Sequence, residues 1–150
     1  MRQLVVWIAC AFVAVVNTAA QSVSDQDLAI KTVQTFIAAN ERADLPLMMS
    51  TFADDATVFM PGEPAQRISG SAAIRDAFTA LFAARRGPIV ITPADINVQM
   101  YGDVAIVTAH LVRPSTAPGT SRRSFVLRKI GDRWLIAHLH ASNLQGAGPG

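Results

Sequence analysis

The sequence predicts an α+β domain, with three helices first and an antiparallel sheet after them. Three observations carry that prediction. Apolar residues recur at helical spacing in segments before residue 85. Four stretches rich in Val, Ile, Leu and Thr follow, separated by turn-forming residues. The 150 residues hold no internal repeat and no linker, so one domain is expected.

The first helix opens at Ser24, an N-cap residue with Asp27 three positions on. Ile30, Val33, Phe36 and Ile37 then fall on one stripe that runs to about Arg42. Asp44 caps a short second helix, which tolerates Pro46 in its first turn and ends near Phe52. Ala53-Asp54-Asp55 turns the chain into a strand, Thr57-Val58-Phe59-Met60, closed by Pro61-Gly62. The third helix, with Ser71 as its expected cap, carries Ile74, Ala77, Phe78, Leu81 and Phe82 on one face. Arg85 and Arg86 suit the negative end of its dipole, and Gly87-Pro88 stops it.

The strands are expected near residues 89–100, 103–113, 121–130 and 133–142, divided by Gly102-Asp103, by residues 114–120 and by Gly131-Asp132. Pro93 confines the first of them to an edge or a bend. Two-residue hairpin loops pair Tyr101 with Val104 and Lys129 with Trp134. Strict alternation then puts Ile96, Val98 and Met100 with Ala105, Val107, Ala109 and Leu111 on an apolar face, and sets His110 opposite Asp95 on the polar one. In the last hairpin it groups Arg123, Phe125, Leu127, Lys129, Trp134, Ile136, His138 and His140. The other face takes Ser124, Val126, Arg128, Leu135, Ala137, Leu139 and Ala141, a small aliphatic surface suited to packing on a second copy. A homodimer through that outer sheet face follows as an expectation.

The first twenty residues are set apart. Arg2 precedes thirteen residues, 4–16, without a polar side chain, and Asn17-Thr18-Ala19-Ala20 ends in small residues, the layout of a secretory signal peptide cut after Ala20. A membrane span needs about 20 apolar residues, so the run is too short to anchor the chain, and no membrane association is expected after cleavage. The expected division is a leader over 1–20, a domain over 21–145, and an unordered tail over 146–150 in a secreted or periplasmic protein. Cys10 is the single cysteine and lies in the leader, which excludes disulfides, thiol catalysis and thiolate metal sites from the mature domain. The net charge of +2 is scattered along the chain, so nucleic acid is excluded as a partner.

Ala53-Asp54-Asp55-Ala56-Thr57-Val58-Phe59, Gly70-Ser71-Ala72-Ala73-Ile74-Arg75, Gly102-Asp103-Val104-Ala105 and the closing Trp134-Leu135-Ile136-Ala137-His138-Leu139-His140-Ala141-Ser142 resemble SnoaL-like proteins. These belong to the nuclear transport factor 2-like superfamily, near the calmodulin-dependent kinase association domain. The resemblance covers about residues 26–144. It implies a strongly bent sheet wrapped on the three helices, a cone with one pocket inside, and dimers through the outer sheet face. The chain departs from the family at Gly131-Asp132, where Asp-Gly is usual, and at Ser71-Ala72-Ala73, where the third helix usually opens with a small residue, Arg and Glu. Related activities include steroid isomerases, polyketide cyclases, dehydratases and epoxide hydrolases, and many relatives are not enzymes.

Within such a cone, His138 and His140 lie two apart on one strand and face the same way, the best acid–base candidates at ambient pH. Arg123, opposite His140 in the alternating register, is placed to hold an anionic group. Asp54 stands at a helix–strand junction, where an aspartate in the cone mouth serves as a base. Phe59, Phe78, Phe82, Tyr101 and Trp134 supply an apolar ligand wall. The His-x-His pair lacks a third ligand on its face, so no metal is expected, and no cofactor either. Two functions remain: a binding protein for a small, mostly apolar ligand, and a cofactor-free isomerase, cyclase or hydrolase using the pocket histidines.

Overall fold

The computed structural model describes residues 23–61, 66–85, 87–113 and 119–144. The expected leader, the tail over 146–150 and Arg86 lie outside the described residues.

The helices are α1 (Asp25–Arg42), α2 (Leu45–Met49) and α3 (Ser71–Ala83); the strands are β1 (Phe52–Phe59), β2 (Arg67–Ser69), β3 (Thr92–Tyr101), β4 (Val104–Arg113), β5 (Gly119–Ile130) and β6 (Arg133–Asn143). Ser24 and Asp27 close a reciprocal capping box at the start of α1. Asp44 accepts from the Leu47 amide at 3.0 Å and so caps α2. The expected cap of α3 is corrected: Gly70 occupies the cap position, with no side-chain bond, and Ser71 is already helical. Gly70 has a φ of 84°, open to glycine but strained for other residues.

The six strands form one sheet in the order β2-β1-β6-β5-β4-β3. It is mixed rather than wholly antiparallel, because β1 runs parallel to β6. Strands β3 to β6 pair antiparallel with their neighbours in chain order, β3 with β4 and β5 with β6 across tight turns. β3 is an edge strand, which accommodates Pro93. The three-residue β2, absent from the sequence-based assignment, pairs with the end of β1.

Three register shifts bend this sheet around the helices, since an extra residue on one strand kinks it and increases its twist. In β1 the pairing jumps from Phe52 to Thr57 against β6, and Asp54 and Asp55 are exposed within the irregular stretch. In β3 it jumps from Ala94 to Asn97. Asp95 there takes a φ of 52°, Ala94 rather than Asp95 faces His110, and Ile96 is 41% exposed instead of joining the apolar face. The Asp95 carboxylate still reaches His110 Nδ1 at 3.4 Å.

The third shift has the largest consequence. Leu127 pairs with Ile136, but Val126 pairs with His138, leaving Ala137 as the extra residue. Beyond it, Phe125 pairs with Leu139 and Arg123 with Ala141. Leu139 and Ala141 are therefore buried on the helix side, 2% and 7% exposed. His138 and His140 stand opposite Val126 and Ser124 on the outer side. The alternating assignment fails from Ala137 onward, for the histidines and for the aliphatic outer face alike.

The core lies between helices and sheet. Phe36 of α1 meets Phe52, Phe78 and Phe125 in edge-on contacts, with centroids 5.8, 6.1 and 5.3 Å away. A second anchor joins α1 to the last hairpin: Asp25 accepts from Lys129 Nζ at 2.8 Å and from the Trp134 indole at 3.1 Å, and Thr32 donates to the Trp134 carbonyl at 2.8 Å. These donors, Lys129 first and Trp134 second, hold the Asp25 carboxyl below its ordinary pKa of 3.8.

Candidate functional site

The inner faces of β1, β4, β5 and β6 line a hollow at the end of the sheet remote from Trp134, a cavity of about 250 Å³. Val58 of β1, Leu111 and Arg113 of β4, Ser121 and Arg123 of β5, and Leu139 and Ala141 of β6 form its floor and sides. Phe36 and Asn40 of α1, Phe78 and Leu81 of α3, Arg85, and Ile89 and Ile91 of the following segment close it over. That segment is fixed to α1 through Glu41, whose carbonyl accepts from the Ile89 amide at 3.2 Å and whose carboxylate accepts from Ile91 at 2.8 Å.

Arg123 enters the wall because its cross-strand neighbours are small: Ala109 on β4 and Ala141 on β6 stand opposite it. Its Nη1 donates to the carbonyls of Arg122 at 2.9 Å and Ser142 at 3.4 Å. Removal from water, and then the charge of Arg113, bring the Arg123 pKa down to about 10, so the group stays protonated at neutral pH. Arg85 donates to both the carbonyl and the side-chain oxygen of Asn40 and lies over the Phe82 ring at 4.7 Å. Its pKa is lowered by burial first and by Arg113 second. Among the described residues no carboxylate lines the cavity and none pairs with Arg85, Arg113 or Arg123.

Of the residues expected at the site, the structure places Phe78 and Arg123 in the cavity wall. Phe82 packs 6.0 Å from Phe78 and serves as the platform for Arg85, behind the lining. Trp134 is a core residue at the other end of the sheet, 2% exposed. Tyr101 is 59% exposed at the β3–β4 turn. Asp54 is exposed in the irregular part of β1, away from the Val58 end that meets the cavity.

His138, His140 and Phe59 are grouped, but on the outer face. Phe59 lies 5.9 Å from each imidazole, and the Arg67 guanidinium sits 5.4 Å over its ring. His138 Nδ1 and Thr57 Oγ1 share a hydrogen bond of 2.7 Å. Burial first, then the charges of His140 and Arg67, push the His138 pKa below its ordinary 6.5. The fold therefore favours neutral His138. Its contribution to stability is complete above pH 6.5 and is lost as pH falls through the lower folded value, because the unfolded chain takes up the proton first. The melting temperature should drop between pH 7.5 and 5.5, and His138→Gln should flatten that slope; an unchanged slope in the variant would refute the assignment.

Sequence reasoning missed Arg85 and Arg113 as site residues, since each reads locally as a charge at the end of an element. No local signal marks either one, because only the folded sheet brings them beside Arg123. Among the described residues no group of three His, Cys, Asp or Glu side chains is arranged to hold a metal ion, and no described helix is long and apolar enough to cross a membrane.

Comparison with known proteins accords with this architecture. A family model described as the SnoaL-like domain matches residues 30–145. No curated protein matches the chain. Among solved structures, an NTF2-like protein of unknown function from Pseudomonas putida is 21% identical, covering 75% of this chain and 82% of its own, with a TM-score of 0.70. A ketosteroid isomerase-like protein from Erwinia carotovora atroseptica is also 21% identical, over 81% of this chain and 97% of its own, with a TM-score of 0.68. A protein from Thiobacillus denitrificans, named for the calcium/calmodulin-dependent protein kinase type II association domain, is 26% identical, over 76% and 93%, with a TM-score of 0.68.

Proposed function

Because the chain belongs to the SnoaL-like domain family and its curved sheet encloses a cavity lined chiefly by apolar side chains, we propose that it is an exported binding protein for a small, mostly apolar ligand. The observation that carries this reading is the composition of the wall. Phe36, Val58, Phe78, Leu111 and Leu139 provide apolar surface, and the described lining holds no carboxylate, imidazole, thiol or phenol to run acid–base chemistry. The volume sets the ligand's size. About 250 Å³ exceeds the roughly 150 Å³ that accepts benzene and falls just short of the roughly 300–1,000 Å³ of drug-sized sites. One to three rings, or a short chain, fit. Export rests on the leader-like residues 1–20.

A neutral apolar fluorophore, N-phenyl-1-naphthylamine, tests the cavity. It should bind the purified domain with enhanced fluorescence, and Ala141→Trp, which fills the space beside Arg123, should lower its affinity on the order of a hundredfold. Undiminished binding by that variant, with its fold intact, would place the ligand elsewhere. A homodimer is proposed through the outer sheet face, where Tyr101, Val104 and Ile130 are 59%, 37% and 43% exposed beside the half-buried Ile106, Val126 and Leu135. Light scattering on the same samples should return twice the monomer mass; a monomer at tens of micromolar would remove this part of the proposal.

A further inference from the structure

Three guanidiniums converge on one small cavity whose other lining is mostly apolar, with Asn40, Ser121 and Asn143 its remaining polar side chains, and no described carboxylate answers them. Gathering them is costly without a compensating anion. Taking a charge out of water disfavours it unless a partner compensates, and two arginines close enough to perturb each other add repulsion. Alanines flank Arg123 on both neighbouring strands, so no bulky side chain fills the place beside its fork. Arg85 is committed to Asn40 and Phe82, which fixes it as a positive wall. Arg123 hydrogen-bonds only to two backbone carbonyls among the described residues, and through Nη1 alone, leaving other N–H groups for a guest.

We infer that the cavity's ligand is an amphipathic anion, a small apolar body bearing one carboxylate, with the carboxylate held by Arg123 beside Arg113 and the body lying against Phe36, Phe78 and Leu139. The planar fork of an arginine matches a carboxylate in two parallel hydrogen bonds, and the match strengthens where water is excluded. The anion also relieves the repulsion between Arg113 and Arg123. Arg113, at the exposed end of β4, stands where the charge would enter, and Arg123 holds it deeper.

This inference rests on the ligand-binding reading above, and a matched pair of probes separates the two. Cinnamate and cinnamyl alcohol share an apolar body and differ in the charged group. In calorimetric titration of the purified domain at pH 7, cinnamate should bind at least tenfold more tightly than the alcohol. Arg123→Gln should abolish that preference while changing alcohol affinity less than threefold. Should Arg123→Gln fold poorly, Arg113→Gln at the strand end carries the test, with carboxylate affinity falling at least threefold and alcohol affinity unchanged. Equal affinity for the two probes, or a carboxylate preference that survives in both variants, overturns the anion assignment and leaves the apolar pocket standing. If N-phenyl-1-naphthylamine binds and neither probe displaces it, the anion assignment alone falls; if none of the three binds, both readings fall together.

Discussion

Phe36→Ala should destabilise the domain by about 3–5 kcal/mol, the range for a large aromatic removed from a packed core. The side chain is 2% exposed and is the hub of the aromatic cluster, touching Phe52 from β1, Phe78 from α3 and Phe125 from β5. Each edge-on pair adds roughly 0.5–1.5 kcal/mol beyond the area buried, so the loss belongs at the upper end of that range. Truncation also tests the proposed function, because Phe36 lines the cavity. Its removal enlarges the space by about a ring, and guests larger than N-phenyl-1-naphthylamine should gain affinity relative to smaller ones. Urea denaturation of Phe36→Ala against the exposed control Gln34→Ala measures the first effect. The control should stay within about 0.5 kcal/mol. A Phe36→Ala loss as small as the control's would contradict the packing described.

Leu139→Asp should prevent folding, whereas His140→Asp, one residue along, should leave a folded domain. Leu139 is 2% exposed and faces Phe125 across the strand pair, while His140 is exposed opposite Ser124. Truncating such a leucine alone costs about 2–5 kcal/mol, and an unpaired buried carboxylate adds several more. Their sum is comparable to the roughly 5–15 kcal/mol that holds a typical domain together. The exposed position carries neither penalty. Circular dichroism and thermal unfolding of the two variants decide between the observed facing and strict alternation along β6. Strict alternation reverses the outcome, making His140→Asp the damaging change.

The helical half of the fold was legible in the sequence because its signals are local. Ser24 with Asp27, the stripe through Val33, Phe36 and Ile37, and the stripe through Ile74 and Phe78 act within a few residues of chain, and the structure keeps them. Both hairpins were legible for the same reason, since Gly102 and Gly131 take left-handed φ values of 59° and 63° at the turns. The parallel pairing of β1 with β6 was not, because no local pattern encodes contact between residues some 80 positions apart. The facing of β6 was misread for a subtler reason. Leu135, Ala137 and Leu139 are as apolar as Trp134 and Ile136, so either parity offers a plausible buried side, and period-two reasoning cannot see an inserted residue. Arg123 was legible as a residue of the cavity wall; its companions Arg85 and Arg113 were not, since only curvature brings the ends of α3, β4 and β5 together.

The surplus alanine in β6 also sets how this strand tolerates changes in length. Removing Ala137 would let Leu127–Ile136 be followed directly by Val126–His138, with Phe125–Leu139 and Arg123–Ala141 unchanged. Removing any single residue from 138 to 140 would instead exchange inside for outside at the remaining pairs, expelling Ala141 from beside Arg123. Ala137 is thus the position where the strand can be shortened without inverting its sides. What would disappear is the kink itself, and with it part of the curvature that shapes the hollow.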